Sequence, residues 1–97
     1  MENWEKQELA KVNYDKVFNH VCTMSERRCE EEDIVPPSPE DIDAFDMYNN
    51  YLNEVTCNTI DSIIDMFEDA GMSYEDACKN FDDSTIDELI DLDSAGF

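Results

Sequence analysis

The chain of 97 residues is long enough for one small domain with a modest core. Its 26 acidic residues against six lysine and arginine residues give a formal net charge of −20, which disfavours binding to nucleic acid or anionic membranes and favours basic partners. A hydrophobic content of 41%, with 10% aromatic residues and only two glycines, argues against a disordered polyanion.

The charge is distributed unevenly along the chain. Residues 1–28 hold five acids and five bases, whereas residues 29–97 hold twenty-one acids and a single base, Lys79. Helical proteins commonly place opposite charges three or four residues apart, because such pairs add small stabilising energies. Most of this chain lacks those pairs, which indicates an electrostatic surface suited to a basic partner.

The first predicted elements are helical. Asn3 can cap a short helix and Asn13 a second one, or a single helix runs through both positions. An apolar stripe with helical spacing follows from Tyr14 to Met24. The prolines between residues 36 and 39 exclude a helix there, so they separate this part of the chain from the next.

A second helical region is predicted between Ser38 and Gly71. Ser38 can cap its start, Pro39 suits a first turn, and Gly71 readily adopts the left-handed conformation that ends a helix. Apolar residues recur at helical spacing from Ile42 onward, on both sides of residues 56–59. Residues 56–59 are weak helix formers, and the apolar arc shifts by roughly 90° at this point. We therefore predict a kink or a break in this region.

Acidic residues follow one face of the second helical region. At about 100° per residue, six of them share an arc of about 100°, away from most of the apolar positions. The arc extends over about 38 Å of helix axis, a length that matches about eleven base pairs of B-DNA. A solvated helix face explains the same arrangement, and this region alone favours that simpler explanation. The six residues are Asp43, Asp46, Glu54, Asp61, Asp65 and Glu68.

Two shorter helices are predicted after Gly71. Ser73 and Ser84 each begin a capping pattern, and the first of these helices extends to Phe81. No alternating strand pattern or hairpin turn competes with this assignment. The predicted fold is all-α: a compact bundle of four to six helices around a central acidic helix or a kinked helix pair. It forms a single acidic domain over residues 1–97, with a charge-balanced helical part at 1–28 and acidic helices at 38–97.

Motifs for catalysis or cofactor binding are missing from the sequence. It has no phosphate-binding glycine loop, nucleophile elbow or metalloprotease motif, and its carboxylates lack neighbouring bases that would separate acid and base roles. We therefore expect no enzyme activity, no catalytic residue, no cofactor and no metal site. The single histidine, His20, is expected to pack or to lie on the surface. The cysteines are expected to be reduced, small core residues: Cys22, Cys29, Cys57 and Cys78.

The segment from Tyr14 to His20, YDKVFNH, resembles the opening helix of the Ocr family of phage antirestriction proteins. In that helix a tyrosine is followed after two residues by Val-Phe, then an acid or amide, then histidine. The region from Ile64 to Asp76, which contains MFEDAGMSYED, is loosely similar to a later acidic helix-turn segment of that family. The resemblance implies a dimeric helical mimic of B-form DNA that occupies the DNA channel of a type I restriction enzyme. The charge-balanced residues 1–28 depart from the family.

These observations together predict a DNA-mimic inhibitor, encoded by a phage or mobile element, that blocks the DNA-binding site of a host defence nuclease complex, either a restriction or a CRISPR complex. The alternative is an acidic helical interaction module or regulator that binds a basic protein without DNA mimicry. A cation-binding or solvating protein is a third hypothesis. The expected partner is a basic DNA-binding protein rather than nucleic acid or membrane, and a homodimer is left open. The N-terminus lacks an apolar signal segment, so the expected location is the cytoplasm, that of the host cell for a phage protein.

The predicted partner-binding residues extend from the second helical region into the acids that follow it. Many weak contacts are expected to share the binding. The full set is Asp43, Asp46, Glu54, Asp61, Asp65, Glu68, Asp69, Glu75, Asp76, Asp82, Asp83, Asp87, Glu88 and Asp91.

Overall fold

The computed structural model describes residues 1–92. This range contains four α-helices, α1 (Asn3–Glu31), α2 (Ile42–Asp69), α3 (Tyr74–Asn80) and α4 (Asp83–Leu89), and no strand. The all-α prediction is confirmed, with the lowest number of helices in the predicted range. The predicted acidic part at 38–97 includes residues 93–97, which lie outside the described residues.

Helix α1 runs without interruption for 29 residues. It begins with a capping box in which the Glu5 carboxylate accepts a hydrogen bond from the backbone N–H of Glu2 at 2.9 Å. Asn3 and Asn13 therefore lie inside the helix rather than at caps. The Asn13 side-chain amide donates to the Leu9 carbonyl oxygen at 2.9 Å, which satisfies it within the helix. Of the two predicted arrangements, the single helix is correct.

Helices α1 and α2 form an antiparallel hairpin. Near the open end, Lys6 of α1 pairs with Glu68 of α2. Near the connecting loop, the hydroxyl oxygens of Ser25 on α1 and Tyr48 on α2 lie 2.5 Å apart. The two helices thus meet along most of their length, and α4 packs against both of them.

The core of the molecule is apolar and is supplied mainly by α2. Burying one large aliphatic or aromatic side chain stabilises a fold by about 1.5–3 kcal/mol. Phe67 of α2 and Phe81 after α3 meet edge to face with ring centroids 6.0 Å apart, which joins α3 to the hairpin. The buried hydrophobic residues are Leu9, Val17, Val21, Tyr51, Leu52, Val55, Ile60, Ile63, Ile64, Phe67, Ala77, Phe81 and Ile86.

Helix α2 begins at Ile42, not at Ser38 as predicted. Asp41 is its N-cap, and the Asp41 carboxylate accepts a hydrogen bond from the N–H of Ala44 at 3.4 Å. An ionised carboxylate suits this position because it also interacts favourably with the positive end of the helix dipole. Pro39 lies in a turn before the helix. Ile42 was predicted on the apolar stripe, but it is 68% exposed and lies outside the core.

Of the predicted kink or break at residues 56–59, the break is wrong, because α2 is one continuous helix of 28 residues. Thr56 and Thr59 are buried, and their hydroxyls donate to the carbonyl oxygens of Leu52 and Val55, each at 2.7 Å. Each hydroxyl is thus satisfied by a carbonyl oxygen one turn earlier in the same helix. Burial of their neighbours then outweighs the low helix propensity of threonine.

The predicted end of α2 at Gly71 is confirmed. Gly71 has a φ of +68°, and its N–H donates to the Glu68 carbonyl at 2.9 Å. The N–H of Met72 donates to the Phe67 carbonyl at 3.0 Å. This pair of bonds is a Schellman motif, which satisfies the last carbonyl groups of the helix and turns the chain towards α3.

The two short helices have different caps. Ser73 caps α3 as predicted, since its hydroxyl accepts from the N–H of Asp76 at 3.3 Å. Helix α4 begins two residues earlier than expected: Asp82, not Ser84, is the cap, and its carboxylate accepts from the N–H of Thr85 at 2.9 Å. The carboxylate at Asp82 is again a stronger acceptor than a serine hydroxyl at the start of a helix.

None of the cysteines is fully buried, and only Cys22 packs against the core among the described residues, which corrects their predicted role as core residues. Cys22 and Cys29 are half-buried on α1, whereas Cys57 on α2 and Cys78 on α3 are exposed. Burial raises the pKa of the Cys22 thiol, and the nearby charge of Glu26 raises it further. Across residues 1–92, no helix has both the length and the apolar character needed to cross a membrane.

We expect Gly71→Ala to destabilise the protein by about 1–2 kcal/mol, because an L-residue in the left-handed region clashes with its own backbone. A Cβ at this position would meet no heavy atom within 4 Å, so the cost comes from the backbone alone. Urea unfolding monitored by circular dichroism measures it. Gly71→Asn is the matched control, since asparagine tolerates this conformation and should lose less stability. Equal losses for the two variants would contradict the explanation.

Candidate carboxylate interface

The acids of α2 lie roughly opposite its buried side. Because the helix is continuous, a rotation of about 100° per residue can be applied from one end to the other. The buried residues then centre on the side that packs into the core, and the acids centre on the outer side, where Asp61 and Asp65 border a groove that Lys6 and Gln7 of α1 also line. We call the outer side the α2 acidic face. It consists of five exposed residues and one half-buried residue, in order Asp43, Asp46, Glu54, Asp61, Asp65 and, half-buried, Glu68.

The spacing along the α2 acidic face is uneven. Asp43 and Asp46 are about 4.5 Å apart along the axis, and Asp61 and Asp65 about 6 Å. Glu54 stands alone, about 12 Å from Asp46 and about 10 Å from Asp61. The face therefore presents two clusters of negative charge, one near each end of the helix, joined by a single carboxylate.

The other predicted site residues are also at the surface. Asp69 ends α2, and two acids lie in the first turn of α3. The rest lie at the start of α4, along it, and just after it. All eight are exposed: Asp69, Glu75, Asp76, Asp82, Asp83, Asp87, Glu88 and Asp91.

Glu68 and Asp83 of the predicted set form ion pairs with lysine side chains of α1. Glu68 binds the Lys6 ammonium group at 2.6 Å, with both side chains about one-third exposed. The Lys16 ammonium group lies 3.6 Å from Asp83 and donates to the Phe81 carbonyl at 3.2 Å. Within residues 1–92, no basic side chain pairs with the five exposed carboxylates of the α2 acidic face. Those five are therefore available to a partner.

His20 sits between two of the predicted acids, and sequence reasoning missed this contact. Its Nδ1 is 2.7 Å from an oxygen of Asp87, and its Nε2 is 3.1 Å from an oxygen of Asp83. Each ring nitrogen thus lies within hydrogen-bond distance of one α4 carboxylate. Asp83 and Asp87 therefore hold α4 on α1 as well as contributing surface charge. The one-turn spacing of the two aspartates was a visible signal, but their partner lies more than sixty residues away in the chain.

Asp82 has a structural role in addition to its exposed position. The backbone N–H of Thr85, and then its hydroxyl, lower the pKa of the Asp82 carboxyl below its ordinary value. Lys16 adds to the same effect. This residue is a helix cap first, so its removal would affect the fold as well as the surface charge.

A second feature that sequence reasoning missed is a group of exposed apolar residues beside these acids. Val35 is 88% exposed, Ile34 51%, Ile42 68% and Met47 65%. All four belong to the loop between α1 and α2 or to the first turns of α2. Of these four, only Ile42 was predicted on the apolar stripe of the second helical region.

Comparison of the chain with protein-family models, with curated proteins and with solved structures gives no match. Among the described residues, no group of three or more His, Cys, Asp or Glu side chains is arranged to hold a metal ion.

Replacing Asp82 by alanine should lower the thermal midpoint at neutral pH, and the loss should shrink on acidification. The folded-state pKa of Asp82 lies below its ordinary value of 3.8. Its stabilisation is therefore present above that value and disappears as the pH falls through the folded pKa. Asp82→Asn is the matched control, because an amide oxygen caps the helix without titrating. A pH-independent difference between the wild type and Asp82→Ala would contradict this assignment.

Added salt should raise the stability of the wild-type protein between low and physiological ionic strength. Twenty-one acids and one base in residues 29–97 repel one another, and salt screens that repulsion. Thermal midpoints in sodium chloride measure the effect. The rise should be smaller for a variant with Asp43, Asp46, Asp61 and Asp65 replaced by asparagine. A midpoint that does not change with salt would show that the carboxylates are compensated within the fold.

Proposed function

We propose that this protein is a DNA-mimic inhibitor, encoded by a phage or mobile element, that blocks the DNA-binding site of a host defence nuclease complex of the restriction or CRISPR type. Aspartate and glutamate side chains take the place of phosphates in this mechanism. The observation that supports it most is the α2 acidic face: five exposed carboxylates without basic partners in the described residues, on one side of an uninterrupted helix.

The dimensions of the molecule agree with this proposal. The described residues extend over 44 × 24 × 19 Å. At about 3.4 Å of axis for each phosphate of a strand, the long dimension corresponds to about thirteen base pairs. The α2 acidic face, from Asp43 to Glu68, covers about 38 Å of this length. A basic channel that holds a short duplex segment can therefore be filled by one molecule along its long axis.

The uneven spacing limits what the α2 acidic face can imitate. Its two clusters and the lone Glu54 can take the place of phosphates at separate points along a DNA strand, but not of every phosphate in the strand. The acids of α3 and α4 supply further charge on the neighbouring surface, although Lys16 lies 3.6 Å from Asp83, and His20 contacts both Asp83 and Asp87. Recognition in this proposal comes from a few groups of lysine and arginine in the target, each meeting one cluster of carboxylates.

The resemblance of Tyr14–His20 to the Ocr family remains part of the proposal. In this structure Val17 is buried, and Tyr14 and Phe18 pack against the core. The segment therefore contributes to packing rather than to the acidic surface, and Lys16 and His20 are its contacts with the acids of α4. A shared fold would explain the resemblance, whereas the target is inferred from the charge.

The proposed mechanism predicts competition with DNA. With a type I restriction enzyme and, separately, a Cas9-type nuclease as targets, the protein should reduce DNA binding, and excess DNA should restore it. The affinity should fall steeply with salt, because carboxylates displace the counterions of the channel as phosphates do. Fluorescence anisotropy of a labelled duplex measures both effects. If saturating DNA fails to displace the protein from a target that it binds, it is an interaction module rather than a mimic.

Two matched variants separate charge position from total charge. The first replaces Asp43, Asp46, Asp61 and Asp65 by asparagine and should weaken inhibition by at least about tenfold, the effect of a few lost charge-assisted contacts. The second removes charge from α1 outside both proposed surfaces, one carboxylate fewer, through Glu8→Gln, Asp15→Asn and Glu26→Gln, and should inhibit nearly as well as the wild type. Leu52→Pro keeps every carboxylate but breaks α2, and it should lose inhibition because the spacing is lost.

A further inference from the structure

The loop end of the α1–α2 hairpin combines exposed apolar side chains with acids. We call residues 30–47 the hairpin tip. It contains four of the seven large hydrophobic residues that are exposed in residues 1–92: Ile34, Val35, Ile42 and Met47. Exposed apolar residues scattered singly are ordinary, but a group within one short segment of a small protein indicates an interaction surface.

The tip is also strongly anionic. Between residues 30 and 47 it carries eight acids and no base, and all eight are exposed. A shallow groove at its surface is lined by Ile42 together with Glu40, Asp41 and Asp43, which brings an apolar side chain and three carboxylates together. The tip thus presents exposed apolar side chains and carboxylates within one short segment. The eight acids are Glu30, Glu31, Glu32, Asp33, Glu40, Asp41, Asp43 and Asp46.

The backbone of the tip is held in place, which lowers the entropy cost of binding. Helix α1 ends in a second Schellman motif: Asp33 has a φ of +54°, and the N–H of Ile34 donates to the Cys29 carbonyl at 2.8 Å. Asp tolerates this conformation better than most residues. Val35 is followed by two prolines, which restrict its backbone and extend the chain. The most exposed valine is therefore presented on a stiff segment.

We infer that the hairpin tip binds a cationic amphipathic segment of a protein partner, with Val35 and Ile42 as its apolar anchors. Charge complementarity selects this occupant. In a dimer formed through the tip, the eight acids of one copy would face the eight acids of the other, and the same acids would repel an anionic membrane. This inference rests on the proposed function only in taking the partner to be a basic protein, and it does not require that the partner lose its DNA.

A pair of synthetic helical peptides of equal length and equal lysine content tests this assignment. One peptide has leucine on the face opposite the lysines, and the other has alanine there. At physiological salt, where exposed charges are screened, the wild-type chain should bind the leucine peptide at least about tenfold more tightly than the alanine peptide. Isothermal titration calorimetry gives both affinities. Equal affinities would overturn the assignment.

Two double variants locate the preference on the molecule. Val35→Ser with Ile42→Ser should abolish the preference for leucine, while Val12→Ser with Met66→Ser, which removes two exposed apolar residues elsewhere, should leave it unchanged. Far-ultraviolet circular dichroism and the thermal midpoint check that both variants fold. A preference that survives the tip variant, or that disappears in the control variant, would overturn the assignment.

Further measurements exclude the other occupants. Analytical ultracentrifugation tests for a dimer formed through the tip, and we expect none whose formation depends on Val35 and Ile42. Vesicles of zwitterionic lipid test for membrane binding, and we expect the wild type not to bind them. A dimer or vesicle complex that depends on Val35 and Ile42 would overturn the assignment in favour of that occupant. Replacing Asp61 and Asp65 by asparagine should weaken the binding of both peptides equally and leave the preference for the leucine peptide unchanged. If the DNA competition fails while the preference holds, the tip is still an interaction surface and only the mimicry is lost.

Discussion

The apolar contact between α1 and α2 is the interaction on which the rest of this structure depends. Leu9, Val17 and Val21 are completely buried, and so are Val55 and Ile63 of α2. At about 1.5–3 kcal/mol for each large apolar side chain, contacts of this kind are large enough to oppose the mutual repulsion of a chain with a net charge of −20. Because α4 packs against both helices, the hairpin also positions the acids of the C-terminal region.

The basic residues of α1 have a related role. Lys6 pairs with an acid of α2, and Lys16 pairs with an acid of α4. His20 lies between two acids of α4. Exposed pairs of this kind are individually weak, at about 0–1 kcal/mol. Their common effect is on position, since they hold the most acidic elements against the charge-balanced helix. The uneven charge in the sequence therefore corresponds to a division within the fold between a supporting helix and the acidic elements around it.

Local signals in the sequence were reliable where one residue decides the structure. Gly71 and Ser73 act as predicted, because a positive φ and a serine cap depend on the residue itself and its nearest neighbours. The predictions failed where two local preferences competed or where a distant contact decided the outcome. Aspartate displaced serine as the cap of α2 and α4. The weak helix formers Thr56 and Thr59 stayed helical because both are buried in the tertiary structure.

The candidate site, like the fold, was predictable from local patterns but not where distant contacts decide the structure. The outward position of the α2 acidic face follows from helical periodicity once the helix is continuous. The contact of His20 with α4 was not predictable, since no periodic pattern relates residues so far apart in the chain. The exposure of Ile42 and Val35 was not predictable either. Hydrophobicity favours burial in general, but it does not show which apolar residues a small core leaves at the surface.

A protein that relied on charge alone would be replaceable by any polyanion. In this molecule the carboxylates are attached to a helix whose other side is fixed in the core, so their spacing cannot adjust to every basic surface. The uncharged Met47, Asn50 and Cys57 interrupt the α2 acidic face, and Met47 is 65% exposed there. A target that accepts this surface must tolerate apolar and neutral groups between the charges, which a channel whose bases are interleaved with neutral side chains does better than one lined with bases alone. Discrimination between basic partners can therefore come from the gaps in the charge pattern as much as from the charges.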